Sequence, residues 1–297
     1  MVRAKNGFWQ AIAMQISEQL NIDFQLRQQQ AVGGGCIHFA HIISDGQQKF
    51  FVKSNDADYL AMFSSEATGL KRMADTQTLL IPDVIATGIA DNQAFLVLSA
   101  FETGEATTGA MRQFGQNLAE MHRHQQHLFG FEENNYIGTT PQINTPTETW
   151  LAFWQQRLRY QFNLAKKNGG HFLQAEELID TLEKFFVGYQ PVASLLHGDL
   201  WSGNYAINTQ GHALLFDPAC YFGDRETDIA MTELFGGFSP DFYQGYQSTW
   251  ALDKNYHYRK PLYTLYHVLN HFNLFGGGYF SQAKHLLKQL LQSEPLT

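Results

Sequence analysis

Cysteine is nearly absent from this sequence. Only Cys36 and Cys220 occur in 297 residues, which excludes a disulfide framework and a clustered cysteine zinc site. A reducing, cytoplasmic setting is the expectation. Charge is sparse too: 16% of residues are charged, and the acidic excess leaves a net charge of −8. With no Lys/Arg cluster there is no electrostatic footprint for nucleic acid, and binding to an anionic membrane surface is disfavoured. No apolar run approaches the roughly 18 residues of a membrane span. The stretch Met1 to Gln10 carries Arg3 and Lys5 but runs on into an amphipathic pattern, not a signal-peptide block. Internal repeats and low-complexity tracts are missing; the Gln-rich residues 25–30 are too few to count.

Apolar and aromatic side chains are abundant instead. Hydrophobic residues make up 44%, with 24 Phe, 13 Tyr and 5 Trp. That composition fits an ordered protein with an aromatic-rich core, long enough for two lobes.

The most informative stretch is Leu195-Leu196-His197-Gly198-Asp199-Leu200-Trp201-Ser202-Gly203-Asn204. An apolar strand runs into a His-Gly-Asp turn, and an Asn follows five residues after the Asp. A polar turn, Asn208 to His212, then leads to the apolar run Ala213 to Phe216, which ends at Asp217. This is the layout of a phosphotransfer site of the protein-kinase-like kind. Asp199 would accept the proton of an attacking hydroxyl, while Asn204 and Asp217 would supply hard oxygen ligands to Mg²⁺ on a nucleotide. His197 fits a supporting role in the loop, and Trp201 is either core or a wall of the acceptor pocket.

Upstream, Gly33-Gly34-Gly35 opens a β-hairpin whose strands are His38 to Ser44 and Lys49 to Lys53, with Asp45-Gly46 at the turn. Glycines there let the backbone approach a phosphate, although an ordinary turn has the same composition. Lys53 ends the return strand, and Glu66 lies on a helix expected from Tyr59 to Met73. Single Lys and Glu residues are usually solvated; the order glycine loop, strand Lys, helix Glu points to a phosphate-orienting pair. Further strands are expected at residues 79–81, 84–86 and 94–98. The connector after Leu98, with Ala100 in it, is where backbone groups could pair with an adenine edge or simply form a loop.

Beyond the connector the pattern is helical. Helices are expected from Thr107 or Thr108 to about His127, and over residues 147–167, 174–186, 241–249, 260–275 and 279–291. His122, His124 and His127 spread around their helix with no completing carboxylate or Cys, a poor zinc set. Asp228, on the first turn of the helix after Asp224, could hold the catalytic loop through its backbone amides or could simply stabilise the helix dipole. The fold class read from these elements is α+β: an antiparallel-sheet lobe with one key helix over residues 1–100, and a mainly α-helical lobe over residues 101–297.

At these same residues the sequence resembles the fructosamine kinase (ketosamine 3-kinase) family. The resemblance lies in His197 to Asn204, Gly33-Gly34-Gly35-Cys36-Ile37, Phe216-Asp217-Pro218-Ala219, Gly223 to Met231 and Leu234-Phe235-Gly236-Gly237-Phe238. His-Gly-Asp alone would also fit aminoglycoside- and choline-kinase relatives; Trp201-Ser202-Gly203 narrows it. The resemblance implies an ATP- and Mg²⁺-dependent kinase acting on the 3-hydroxyl of a ketosamine, either a small molecule or a glycated protein lysine. It also implies a role in protein deglycation. Lys53 and Glu66 would orient phosphate, Asp199 would be the base, and Asn204 and Asp217 the metal ligands. A kinase for another amine or sugar and a scaffold without turnover are the alternatives, and a monomer or weak homodimer is expected. One departure is His38, where the family more often has Asn; it bears on the loop's fine contacts. Cys36 in the glycine loop is either a small apolar filler or an oxidisable thiol.

Overall fold

The computed structural model describes residues 2–33 and 38–294. Gly34, Gly35 and Cys36 therefore lie outside the described residues. In chain order the elements are α1 (Val2–Leu20), β1 (Gln28–Val32), β2 (Phe39–Ser44), β3 (Lys49–Asp56), α2 (Leu60–Ala74), β4 (Val84–Ala90) and β5 (Gln93–Ser99). They continue as α3 (Thr108–His122), β6 (Gln125–Gln126), β7 (Asn135–Ile137), β8 (Thr140–Gln142), α4 (Trp150–Lys167), α5 (Ala175–Asp180) and β9 (Ala193–Leu196). The rest are β10 (Tyr205–Ile207), β11 (Ala213–Leu215), β12 (Tyr221–Gly223), α6 (Glu226–Leu234), α7 (Pro240–Thr249), α8 (Tyr256–Phe275) and α9 (Tyr279–Gln292). The chain packs as two units, one of residues 1–106 with 206–217, the other of residues 107–205 with 218–297. The sequence reading put everything after residue 100 in the second lobe, whereas the packing places residues 101–106 and 206–217 with the first unit.

The first unit is built on an antiparallel sheet of order β1-β2-β3-β5-β4. Alternation along β3 sends Phe50 and Val52 into a core with Phe8, Ile12 and Ile16 of α1 and with Phe95 and Val97 of β5. Lys53, one residue on, must project from the opposite side of the sheet, and there it meets α2. That helix buries Phe63, Glu66, Ala67, Leu70 and Met73, a stripe at the three- and four-residue spacing of one helical face. The segment 79–81 is not a strand. It makes one parallel bridge, Leu80 to Leu214, with Leu80 N–H donating to Ala213 O at 3.2 Å, and Pro82 cannot donate to extend a ladder.

The second unit is mainly helical. Thr107 and Thr149 cap α3 and α4, accepting from Ala110 N–H at 3.2 Å and Ala152 N–H at 3.3 Å. Expectation and structure differ beyond shifts of a few residues at helix starts, such as α8 beginning at Tyr256 and not at residue 260. Helix α3 stops at His122, because Gln125 and Gln126 pair with β9. Residues 174–186 divide into α5 and a 3₁₀ turn at Leu182–Phe186. Within the stretch read as loop, β7 and β8 form a hairpin. The core joins α4 to α8 through aromatic packing: Trp154 lies 5.0 Å from Trp150, 5.2 Å from Tyr263 and 5.4 Å from Tyr266, ring centre to ring centre. Each such buried ring removes a large apolar area from water.

Candidate active site

In the first unit three charged residues from distant parts of the chain meet. Lys53 Nζ donates to Glu66 Oε1 at 2.7 Å and to Asp217 Oδ1. Strand β3 supplies the Lys, α2 the Glu, and the turn after β11 the Asp. Burial alone would lower the Lys53 pKa, but the Asp217 and Glu66 carboxylates outweigh it and hold the ammonium above its ordinary value. Glu66 is pushed up to about 7, because burial raises it and the nearby Asp217 charge adds to that, against the pull of Lys53. One cation thus serves two carboxylates. A polyanion's phosphates and a divalent cation suit that imbalance, since the cation can take Asp217 while the phosphates take Lys53. Asp217 itself has φ +57°, a left-handed conformation that non-glycine residues adopt at some cost and that clusters at functional sites.

Around this trio lie other residues singled out from sequence. His38 Nδ1 accepts from Asn55 Nδ2 at 3.0 Å, and its ring packs 4.8 Å from Phe63. Burial, with repulsion from Lys53, lowers its pKa to about 4, so it adds no charge at neutral pH. Gly33 is exposed, and among the described residues a Cβ there would meet nothing within 4 Å. Leu98 pairs with both Phe51 and Val84 inside the sheet. The Ala100 N–H, read as available to an adenine edge, instead donates to Lys49 O at 3.3 Å. The connector contributes a side chain that the sequence did not single out: Phe101 stacks 6.0 Å from Phe216, the residue before Asp217.

In the second unit, β9 is buried along its whole length and delivers the chain into the His197-Gly198-Asp199 turn. Gly198 has φ +83°, and a Cβ there would overlap the Ala219 carbonyl, so both conformation and space require glycine. Asp228, at the start of α6, accepts from His197 N–H at 2.7 Å and from Gly198 N–H at 2.9 Å. Despite burial its pKa is lowered, through His122, His197 and the Gly198 amide, so it is an ionised acceptor. His197 Nδ1 lies 3.3 Å from the Asp199 amide, which donates to it. Asn204 Nδ2 donates to Asp199 O at 2.8 Å and to Asp199 Oδ2 at 3.3 Å. This ties the Asn204 amide nitrogen to the loop. Trp201 is 37% exposed, beside Phe235. Behind the loop lies an amide network with no local signature in the sequence. Gln142 donates to Ala219 O at 2.9 Å, Asn135 to Cys220 O at 2.7 Å, and the buried Arg157 to Tyr266 Oη at 3.0 Å.

Among the described residues no three His, Cys, Asp or Glu side chains could hold a metal ion together. Asp217 in the first unit and Asn204 in the second each carry an oxygen donor of the type Mg²⁺ takes alongside phosphates and water. The fold and these residues define a phosphotransferase of the protein-kinase-like class, with an antiparallel-sheet lobe and a helical lobe. Comparison with known proteins narrows the class. The family model for fructosamine kinase matches residues 8–293. A protein named probable ketoamine kinase from Synechocystis is 46% identical over 96% of this chain and 97% of its own length. The chloroplastic protein-ribulosamine 3-kinase of Arabidopsis thaliana is 38% identical over 88% of this chain and 82% of its own. A crystal structure from Haemophilus somnus, assigned to the fructosamine-3-kinases, superposes with TM-score 0.90 at 28% identity, over 97% of this chain and 99% of its own. The chain belongs to the fructosamine kinase family.

Proposed function

We propose that this protein transfers the γ-phosphoryl group of ATP to the 3-hydroxyl of a ketosamine, a sugar-derived ketone joined to an amine. Asp199 accepts the hydroxyl proton as the new O–P bond forms and the bond to the β-phosphate oxygen breaks, releasing ADP. Lys53 binds nucleotide phosphate and is oriented by Glu66. Asp217 and Asn204 hold Mg²⁺, whose charge offsets that of the phosphates when it is bound. The glycine run from Gly33 is assigned to the phosphates from the sequence alone. Leu98 and Ala100 belong to the segment facing the adenine, with the correction that the Ala100 N–H is engaged by Lys49. Trp201 walls the sugar. The phosphorylated ketosamine is unstable and loses its phosphate, freeing the amine, so the reaction serves deglycation of small amines or protein lysines in a reducing, cytoplasmic setting.

The observation that carries this reading is the buried Lys53 held between Glu66 and Asp217, since a lone cation shared by two carboxylates has little structural value compared with an apolar replacement. The ketoamine- and ribulosamine-kinase names of the relatives support the choice of acceptor. The test is ATP consumption over a panel of ribulosamine, fructosamine and an aminoglycoside. Turnover confined to the aminoglycoside would overturn the acceptor, and turnover by Asp199→Asn at the parent rate would overturn the base. An unchanged Mg²⁺ dependence in Asn204→Ala would remove that ligand.

A further inference from the structure

Asp228 receives a third hydrogen bond, which comes from outside the loop. His122 Nε2 lies 3.2 Å from Asp228 Oδ2, and His122 Nδ1 lies 2.7 Å from Tyr246 Oη. Arg225 Nη1 donates to that same phenol oxygen at 2.9 Å and to Trp250 O at 2.9 Å, and Arg225 Nη2 donates to Ala251 O at 2.6 Å. Proton positions along this chain follow from its two ends. A guanidinium only donates and an ionised carboxylate only accepts. Tyr246 therefore donates its O–H hydrogen bond to His122 Nδ1, and His122 carries its proton on Nε2, facing Asp228. His122 is fully buried, and desolvation keeps its pKa below the ordinary value, consistent with one neutral tautomer.

The packing of α3 on α7 holds the two partners in register. A Cβ on Gly115 would overlap the Phe242 carbonyl, and one on Gly245 would overlap the Arg112 carbonyl. The two glycines let the helices approach backbone to backbone, which brings Tyr246, next to Gly245, against the end of α3 where His122 sits. The loop amides take one Asp228 oxygen each, and His122 adds a second bond to Oδ2 from another element, so the carboxylate is held from α3 as well as from the loop.

We propose that His122 and Tyr246 are positioning residues for phosphoryl transfer: they lock the Asp228 carboxylate in the orientation that receives the His197 and Gly198 amides, and so set the turn that carries Asp199. This rests on Asp199 being the base. The test compares His122→Leu, His122→Gln and Tyr246→Phe in the full chain. It measures kcat and KM for ATP with a ketosamine acceptor, together with hydrogen–deuterium exchange of the peptide containing His197 and Gly198. His122→Leu lowers kcat by about 10²-fold, the cost of a small displacement of a reacting group, with KM for ATP unchanged. His122→Gln recovers much of the loss, because its Nε2–H can still donate to Asp228. Tyr246→Phe falls between. Exchange at His197 and Gly198 accelerates in the Leu and Phe variants.

Parent kcat in both His122→Leu and Tyr246→Phe, or a Gln variant no better than Leu, would overturn the assignment. If His122→Leu fails to fold, Tyr246→Phe carries the same comparison. If the wild-type protein phosphorylates no ketosamine, the functional reading is what fails; amide exchange then decides the positioning role alone, unchanged exchange overturning it.

Discussion

The indole of Trp201 lies over Gly203, so that a Cβ on Gly203 would fall inside the contact distance of the ring. Glycine at this position is a condition for the tryptophan's placement. Asn204 N–H donates to Trp201 O at 3.0 Å, so the same short turn also fixes the proposed metal-binding amide.

Gly203→Ala is therefore expected to displace the ring without unfolding the loop. If Trp201 walls the acceptor pocket, kcat/KM for the ketosamine falls by about tenfold, a loss typical of removing one apolar contact, with KM for ATP unchanged. Steady-state kinetics with each substrate varied in turn checks this. An unchanged ketosamine kcat/KM would mean that the ring does not touch the sugar.

Lys53→Met removes the cation that is hydrogen-bonded to Glu66. The electrostatic role assigned to Lys53 predicts a fall in kcat of about 10²- to 10³-fold, comparable to losing one preorganised charge-stabilising donor. The buried Glu66 then stays protonated at neutral pH, so the variant remains folded. Turnover within an order of magnitude of wild type would reject the phosphate-binding role.

Acid should destabilise the protein through a histidine outside the site. His267 is buried, its Nδ1 has no hydrogen-bond partner among the described residues, and burial lowers its pKa to about 3. The unfolded chain, titrating near 6.5, binds the proton first, so stability falls as the pH drops below 6.5 towards 3. At pH 5 this amounts to about 2 kcal/mol. Glu66 works in the opposite sense, since its raised pKa makes the fold lose stability as pH rises from about 4.5 to about 7. Urea denaturation of wild type and His267→Phe at pH 7 and pH 5 separates the two. The variant should lose less between the two pH values, and equal losses would contradict the assignment.

Arg259 and Glu226 form a fully buried two-point pair, with contacts of 2.7 Å and 2.9 Å, and Arg259 also reaches Asp253 at 2.7 Å. Asp224 is close by, accepting from Tyr263 at 2.5 Å and Tyr189 at 2.9 Å. Arg259→Met strands several carboxylates together and should cost about 3–5 kcal/mol. Glu226→Gln keeps neutral hydrogen bonds and should cost less. The denaturant midpoints of the two variants test the order; an unchanged midpoint for Arg259→Met would refute it.

Much of the first lobe could be read directly because its signals are local. Asp91 and Asn92 carry positive φ between β4 and β5, as a tight hairpin demands, and the apolar run ending at Lys53 marks β3 as a strand. The spacing from His197 to Asn204 likewise sits within one turn. Segments without such signals read poorly: β7 and β8 are three residues each, too short for a period to show, and Leu80 pairs through a single residue. His122 presented itself as one histidine among three on a helix. Its partners Asp228 and Tyr246 lie more than a hundred residues away, and no spacing rule reaches that far.

The sequence by itself determined the chemistry available: a strand lysine, a helix glutamate, a His-Gly-Asp turn with its asparagine, and a second aspartate, in an order tied to helical and strand periods. Tertiary structure decided which of these meet. Asp217 joins Lys53 because β11 and the turn after it pack with the first unit despite 164 residues of separation, and Asp228 joins the loop because α6 starts beside β9. Local spacing follows from backbone geometry, whereas these meetings depend on the burial of whole elements. That is a property of the packed core and not of any short stretch of chain.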